Sequence, residues 1–134
     1  MKIAEYQIGH TLPSVQLPPV SRMDLIKYSG ASGDFNPIHT IDAEAEKAGL
    51  PGIIAHGMWT MGNLSKLFTS YHEEGFIKTF TIRFSGMVFL EDVITLKAEL
   101  KEKVNESSLF SVTAENGQGQ AVIKGNVSFH LYQD

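Results

Sequence analysis

"GMWTMGNLSKLFTSYHEEG", residues 57–75, is followed by little except strands, and that change of pattern decides the fold. Met58, Met61, Leu64, Leu67, Phe68 and Tyr71 recur at intervals of three and four, while Trp59, Asn63, Lys66 and Glu73 fall between them. The spacing predicts one long helix, and an apolar Trp59 off the main stripe predicts cover on more than one side. Gly62 costs such a helix about 1 kcal/mol against alanine and points to a close neighbour that needs the space. Downstream, "FIKTFTIRFSGMVFL" (76–90), "DVITLKAELKEKV" (92–104), "SLFSVTAEN" (108–116) and "QAVIKGNVSFHLY" (120–132) are rich in β-branched and aromatic residues and often alternate apolar with polar. "NESS" and "NGQG" supply the turns between them. The economical packing is an α+β arrangement, a curved antiparallel sheet wrapped around the long central helix.

Upstream, the chain reads as short helices and loops. Before Ser21 there are one or two extended pieces, closed by Pro18 and Pro19. "SRMDLIKYSG" (21–30) predicts a helix capped by Ser21, with Asp24 completing a capping box and Gly30 as the stop. "IDAEAEKAGL" (41–50) predicts a second, with Asp42 near its start, Lys47 near its end and Gly49 closing it.

At 134 residues the chain reads as a single domain, 1–134, long enough for a hydrophobic core. A formal charge of −4 without a basic stripe speaks against a nucleic-acid partner. No apolar run approaches the roughly 20 residues that span a bilayer, and the N-terminal residues lack a signal-peptide core, so a cytoplasmic protein is expected. The absence of cysteine removes disulfides, thiolate nucleophiles and thiolate metal sites together.

Between the two short helices lies "SGDFNPIHTID" (32–42), which holds an acid, Asp34, and a histidine, His39. Five positions apart, these side chains point about 140° from each other on a helix and to opposite faces of a strand. Pro37 steers Asn36 away from helical angles and Gly33 permits a conformation other residues resist, so the loop bends. A bent loop is where such a pair can converge, and carboxyl beside imidazole is an acid–base pair. The same residues also suit plain turn chemistry, with His39 capping the next helix. "GIIAHGMWTMGN" (52–63) then brings His56 and Gly57 to the start of the long helix. Open amides at a helix N-terminus stabilise developing negative charge, and Gly57 lets a substrate oxygen come close to its N–H. Gly57 serves equally as a tight turn into a core helix.

These two segments together resemble the MaoC-like hydratase/dehydratase family, hot-dog-fold proteins acting on 2-enoyl thioesters. The likeness runs from "YSGASGDFNPIH" through "AGLPGIIAHGMWTMG", about a third of the chain, and "IRFSGMVFLED" looks like the family's strand entering the sheet. It is nearest in appearance to the (R)-specific enoyl-CoA hydratases and the catalytic subunits of bacterial (3R)-hydroxyacyl-carrier-protein dehydratases. The resemblance implies a hot-dog fold, with the catalytic pair on Asp34 and His39 and the oxyanion amide on Gly57. Asn36 falls on an asparagine that orders the loop, and Ser65 on a serine that helps hold the acid in some relatives. His56 is a supporting residue. One departure is the stretch "SGMVFLED", where Glu91-Asp92 stands in place of a Gly-Asp turn.

The implied reaction is reversible syn hydration of a trans-2-enoyl thioester, carried on CoA or acyl carrier protein, to the (3R)-3-hydroxyacyl thioester. His39 would take the proton from water, and Asp34, raised in pKa by an apolar setting, would protonate C2; the reverse assignment stays open. No cofactor or metal is called for, although His56, His39 and Asp34 could make a mononuclear site on paper. Met58, Trp59 and Met61 are acyl-pocket candidates as well as core residues. His10, His72 and His130 read as surface or packing residues. A homodimer is expected, because a lone hot-dog unit exposes a sheet edge. Two alternatives share the fold: an acyl-CoA thioesterase, and a non-catalytic subunit that binds acyl thioesters.

Overall fold

A computed structural model describes residues 1–133. Its frame is one antiparallel sheet of five strands: β1 (Val15–Gln16), β2 (Gly75–Phe84), β3 (Thr95–Val104), β4 (Ser107–Glu115) and β5 (Ala121–Leu131). They lie in the order β1-β3-β4-β5-β2, so β2 crosses over to pair with β5 and stands at one edge. Alternation sets the faces. Along β4, Ser108, Phe110, Val112 and Ala114 are buried while their neighbours are half exposed. Leu96, Ala98 and Leu100 of β3 and Val127 and Phe129 of β5 complete the inner face.

Against that face lies α3 (Gly57–Leu64), continued by two 3-10 turns, Ser65–Leu67 and Thr69–Tyr71. The single long helix read from the sequence is therefore broken after Leu64. Side chains compete for its carbonyls: Asn63 Nδ2 donates to Trp59 C=O at 2.9 Å, Ser65 Oγ to Gly62 C=O at 2.6 Å, and Thr69 Oγ1 to Ser65 C=O at 3.2 Å. From Leu64 on the apolar stripe faces inward, whereas Met58 at its start is exposed. Leu64, Leu67 and Phe68 are buried, and the Phe68 ring meets Phe110 edge-on at 5.3 Å and stacks on Phe129 at 6.0 Å. Among the described residues nothing lies within 4 Å of the Cβ position of Gly62, so the close neighbour expected there is not found.

The first short helix, α1 (Arg22–Ser32), has the expected cap: Asp24 N–H donates to Ser21 Oγ, and Ser21 N–H to Asp24 Oδ2. It runs past Gly30 and stops at Gly33, which sits in the left-handed region at φ 75° and donates its N–H to Ser29 C=O. The second, α2 (Asp42–Lys47), ends before Gly49, at φ 86°. The predicted 76–90 strand divides at Ser85–Gly86, whose two N–H groups both donate to Val122 C=O; Phe89 then keeps only a bridge to Ile54.

Candidate active site

The loop between α1 and α2 is built by its own polar side chains. Asp34 N–H donates to Ser32 Oγ (3.1 Å), Asn36 N–H to Asp34 Oδ1 (3.2 Å), and Ile38 N–H to Asn36 Oδ1 (3.2 Å). Asn36 thereby caps a 3-10 turn, Pro37–His39, with proline at its first position. Arg22 fastens the far end, donating to Thr40 C=O at 2.9 Å and pairing with Asp42 at 2.7 Å. The bend does what the five-residue interval requires. A carboxylate oxygen of Asp34 and ring nitrogens of His39 and His56 all fall within 4.8 Å of one another.

His39 is buried and its tautomer follows from its partner. A carbonyl can only accept, so the 2.7 Å contact with Ile54 C=O means that Nδ1 carries the hydrogen. In the neutral ring, Nε2 is then the lone-pair nitrogen. Ile54 is placed for this by two further bonds of its segment: Ile54 N–H donates to Ile38 C=O at 3.2 Å and Ala55 N–H to Val88 C=O at 2.8 Å. Asp34, in contrast, is exposed, so the apolar setting expected for it is not supplied by this chain.

His56 is buried behind the pair. Its ring stacks on His39 with centroids 3.8 Å apart and meets Tyr28 edge-on at 4.7 Å. Its Nε2 lies 3.2 Å from both Asp34 C=O and Ser29 Oγ. Burial pushes its pKa below the ordinary 6.5; the Asp34 carbonyl works against this, His39 adds to it, and the Asp34 charge opposes it. Each of the two imidazoles has one nitrogen engaged with a backbone carbonyl, the Nδ1 of His39 with Ile54 and the Nε2 of His56 with Asp34.

His56 is also the N-cap of α3, yet its side chain does not cap the helix. The amides of Gly57 and Met58 have no acceptor among the described hydrogen bonds, at the helix start that follows His56. A Cβ on Gly57 would come within 2.7 Å of the Phe84 ring, so glycine here also lets β2 close over the helix start.

The remaining candidates are more scattered. Ser65 gives its hydroxyl to Gly62, shares no hydrogen bond with Asp34, and lines a hollow of about 400 Å³ with Phe68, Phe76, Phe129 and Tyr132. Met58 is 55% exposed, while Trp59 and Met61 are half-buried against the core. His10 and His72 bond locally at the surface, and His130 Nδ1 meets Ser107 Oγ. Sequence reading missed Ser29, Tyr28, Ile54 and Phe84, which reach the site only through tertiary packing and leave no local signal.

A curved antiparallel sheet around a helix, with the loop of Asp34 and His39 beside the start of that helix, defines a hot-dog-fold domain. The chain belongs to the family of the MaoC-like domain, whose model matches residues 4–121. It is 32% identical over 129 residues to the fatty acid synthase subunit beta of Aspergillus oryzae, covering 89% of this chain but 6% of that protein. It is 29% identical over 89 residues to the 3-hydroxybutyryl-CoA dehydratase of Methylorubrum extorquens, covering 65% of this chain and 57% of the relative. The R-hydratase PhaJ1 of Pseudomonas aeruginosa shares the fold with a TM-score of 0.89 at 24% identity, over 98% of this chain and 85% of that one. No helix among the described residues is long and apolar enough to cross a membrane.

Proposed function

We infer that this chain is a hydro-lyase, its residues 1–134 forming one catalytic domain that works in the cytoplasm and reversibly adds water to trans-2-enoyl thioesters of CoA or acyl carrier protein. The observation that carries this is the Nδ1 of His39 held on Ile54 C=O, which leaves its Nε2 for a substrate, with the Asp34 carboxyl and the uncapped start of α3 close by. His39 Nε2 takes a proton from water as its oxygen bonds to C3. The electron pair of the C2–C3 bond moves toward the thioester, whose oxygen the Gly57 N–H receives as it gains enolate character. Asp34, through the oxygen not held by Asn36, delivers a proton to C2, and the two residues exchange protons through solvent to reset. Delivery of both groups from one side gives syn addition, and the (3R) alcohol follows where the substrate turns the matching face of C3 toward that side. Every step is a proton transfer or charge stabilisation, so no cofactor enters the scheme.

The family resemblance and the relatives named above, a 3-hydroxybutyryl-CoA dehydratase among them, support this reaction class. A second copy of the chain completes the site in this reading, because Asp34 is open to solvent as one chain presents it. Met58, Trp59 and Met61 contribute to the acyl wall only in such an assembly.

Incubation with crotonyl-CoA tests the assignment. The expected result is loss of enone absorbance without free thiol, giving the (3R)-3-hydroxy product. Asp34→Asn and His39→Ala should each lower the rate about 100-fold or more. Thiol release would instead identify a thioesterase, and unchanged hydration in both variants would remove the acid–base pair from the mechanism.

A further inference from the structure

Two buried polar atoms at the start of α3 have no hydrogen-bond partner among the described residues: Nδ1 of His56 and Oγ1 of Thr60. The residues are four apart, and Thr60 N–H donates to His56 C=O at 3.4 Å, so their side chains belong to one turn. Their needs are complementary. Asp34 C=O can only accept, so the Nε2 of His56 carries the hydrogen in that contact, and Ser29 Oγ shares it as a second acceptor. The Nδ1 of the neutral ring is then an acceptor with no donor, while Thr60 brings a hydroxyl donor with no acceptor. Leaving both unpaired would cost about 1–3 kcal/mol each. Thr60 is 1% exposed and His56 2%, so bulk water does not reach either.

We propose that His56 is a positioning residue for the candidate site. The Thr60 hydroxyl donates to its Nδ1, directly after a side-chain rotation or across one bound water. That bond fixes the Nε2–H tautomer, and the Nε2–H in turn holds the backbone carbonyl of Asp34. The chain Thr60–His56–Asp34 ties the acid-bearing loop to the helix whose first amides would receive the substrate oxygen. The stack of His56 on His39 keeps the base in the same frame. One device then sets the distance between acid, base and oxyanion donor, whatever the substrate. This deepens the hydratase reading and rests on it for the catalytic consequence. The tautomer itself is independent of that reading.

The experiment begins with the full chain labelled at histidine nitrogen and observed by long-range proton–nitrogen correlation. His56 is expected as a single Nε2–H tautomer that is still mainly neutral at pH 6.5. Thr60→Val, which keeps the shape and removes the hydroxyl, should shift the Nδ1 resonance of His56. An Nδ1–H tautomer, or a tautomer mixture like that of free imidazole, would overturn the proposal, and an unmoved Nδ1 resonance in Thr60→Val would overturn the part given to Thr60. Kinetics with crotonyl-CoA supply the second readout. His56→Phe keeps a ring but loses the donor and should lower kcat about 100-fold with little change in KM. His56→Gln can still donate to Asp34 C=O and should recover most of that loss; equal loss in both variants argues against the hydrogen bond as the cause. Inactive wild-type protein that nonetheless shows the tautomer and the Thr60 effect would reject the hydratase reading and leave the His56 assignment standing.

Discussion

At the scale of single residues, the site depends on which hydrogen bonds each imidazole has already spent. His39 spends Nδ1 on Ile54 and keeps Nε2, whereas His56 spends Nε2 on Asp34 and is 2% exposed. The difference is measurable as stability. Burial lowers the folded-state pKa of His56 below its ordinary 6.5. As pH falls through 6.5 the unfolded chain takes a proton there that the folded chain still refuses, so the unfolded state binds more protons and stability drops. The slope from this one group is at most about 1.4 kcal/mol per pH unit, it begins near 6.5, and it levels off once the folded protein also binds the proton. Urea midpoints between pH 7.5 and 5 should therefore fall in the wild type. The fall should be shallower in His56→Gln, and an identical profile in the two would place the acid sensitivity elsewhere.

At the scale of elements, capping and turn chemistry carried most of the legible information. The Ser21–Asp24 box, the stop at Gly49, the four strands and the helical stripe from Met58 to Tyr71 were all readable because each is specified within a few residues. What was not readable depends on competition or on distant partners. Gly30 and Gly33 are both plausible stops by residue type, and only the left-handed conformation with its bond to Ser29 singles out Gly33. The helix breaks where Ser65 and Thr69 bond back to carbonyls, an outcome that the 3.6-residue period does not record. Glu91 adopts φ 69°, a left-handed conformation that its residue type does not announce, and Asp92 holds the turn by accepting from Phe89 N–H at 2.8 Å. Gly125 was equally invisible in the sequence. A Cβ there would overlap the backbone carbonyl of Thr81 and press on Ile82 in the neighbouring strand. Neither atom can yield without parting β5 from β2. Gly125→Ala should thus cost about 1–3 kcal/mol or more, whereas Gly117→Ala, with open space around it, should stay within about 0.5 kcal/mol. Denaturant midpoints for the two variants check this contrast.

At the scale of the molecule, the surfaces left bare by one chain point to a second copy. β2 has a partner on one side only, since it pairs with β5 and ends the sheet order. Phe76 and Phe84 on that strand are 42% and 51% exposed. On α3, Met58 and Gly62 lie four residues apart on one exposed face, and the space at Gly62 is empty within this chain. A bare strand beside an apolar helix face is the kind of surface that soluble proteins cover. The candidate site borders the same surface, because the Phe84 ring lies over Gly57 and Asp34 is exposed. Pairing would bring cover to Asp34 and a wall to the acyl chain, so assembly and activity should be linked. The expected species in sedimentation has twice the 14.8 kDa of one chain. On dilution through the dissociation range, specific activity toward crotonyl-CoA should fall in step with the dimer fraction. Protein that sediments as a monomer while holding full specific activity would show that one chain suffices, and Asp34 would then have to work in open solvent.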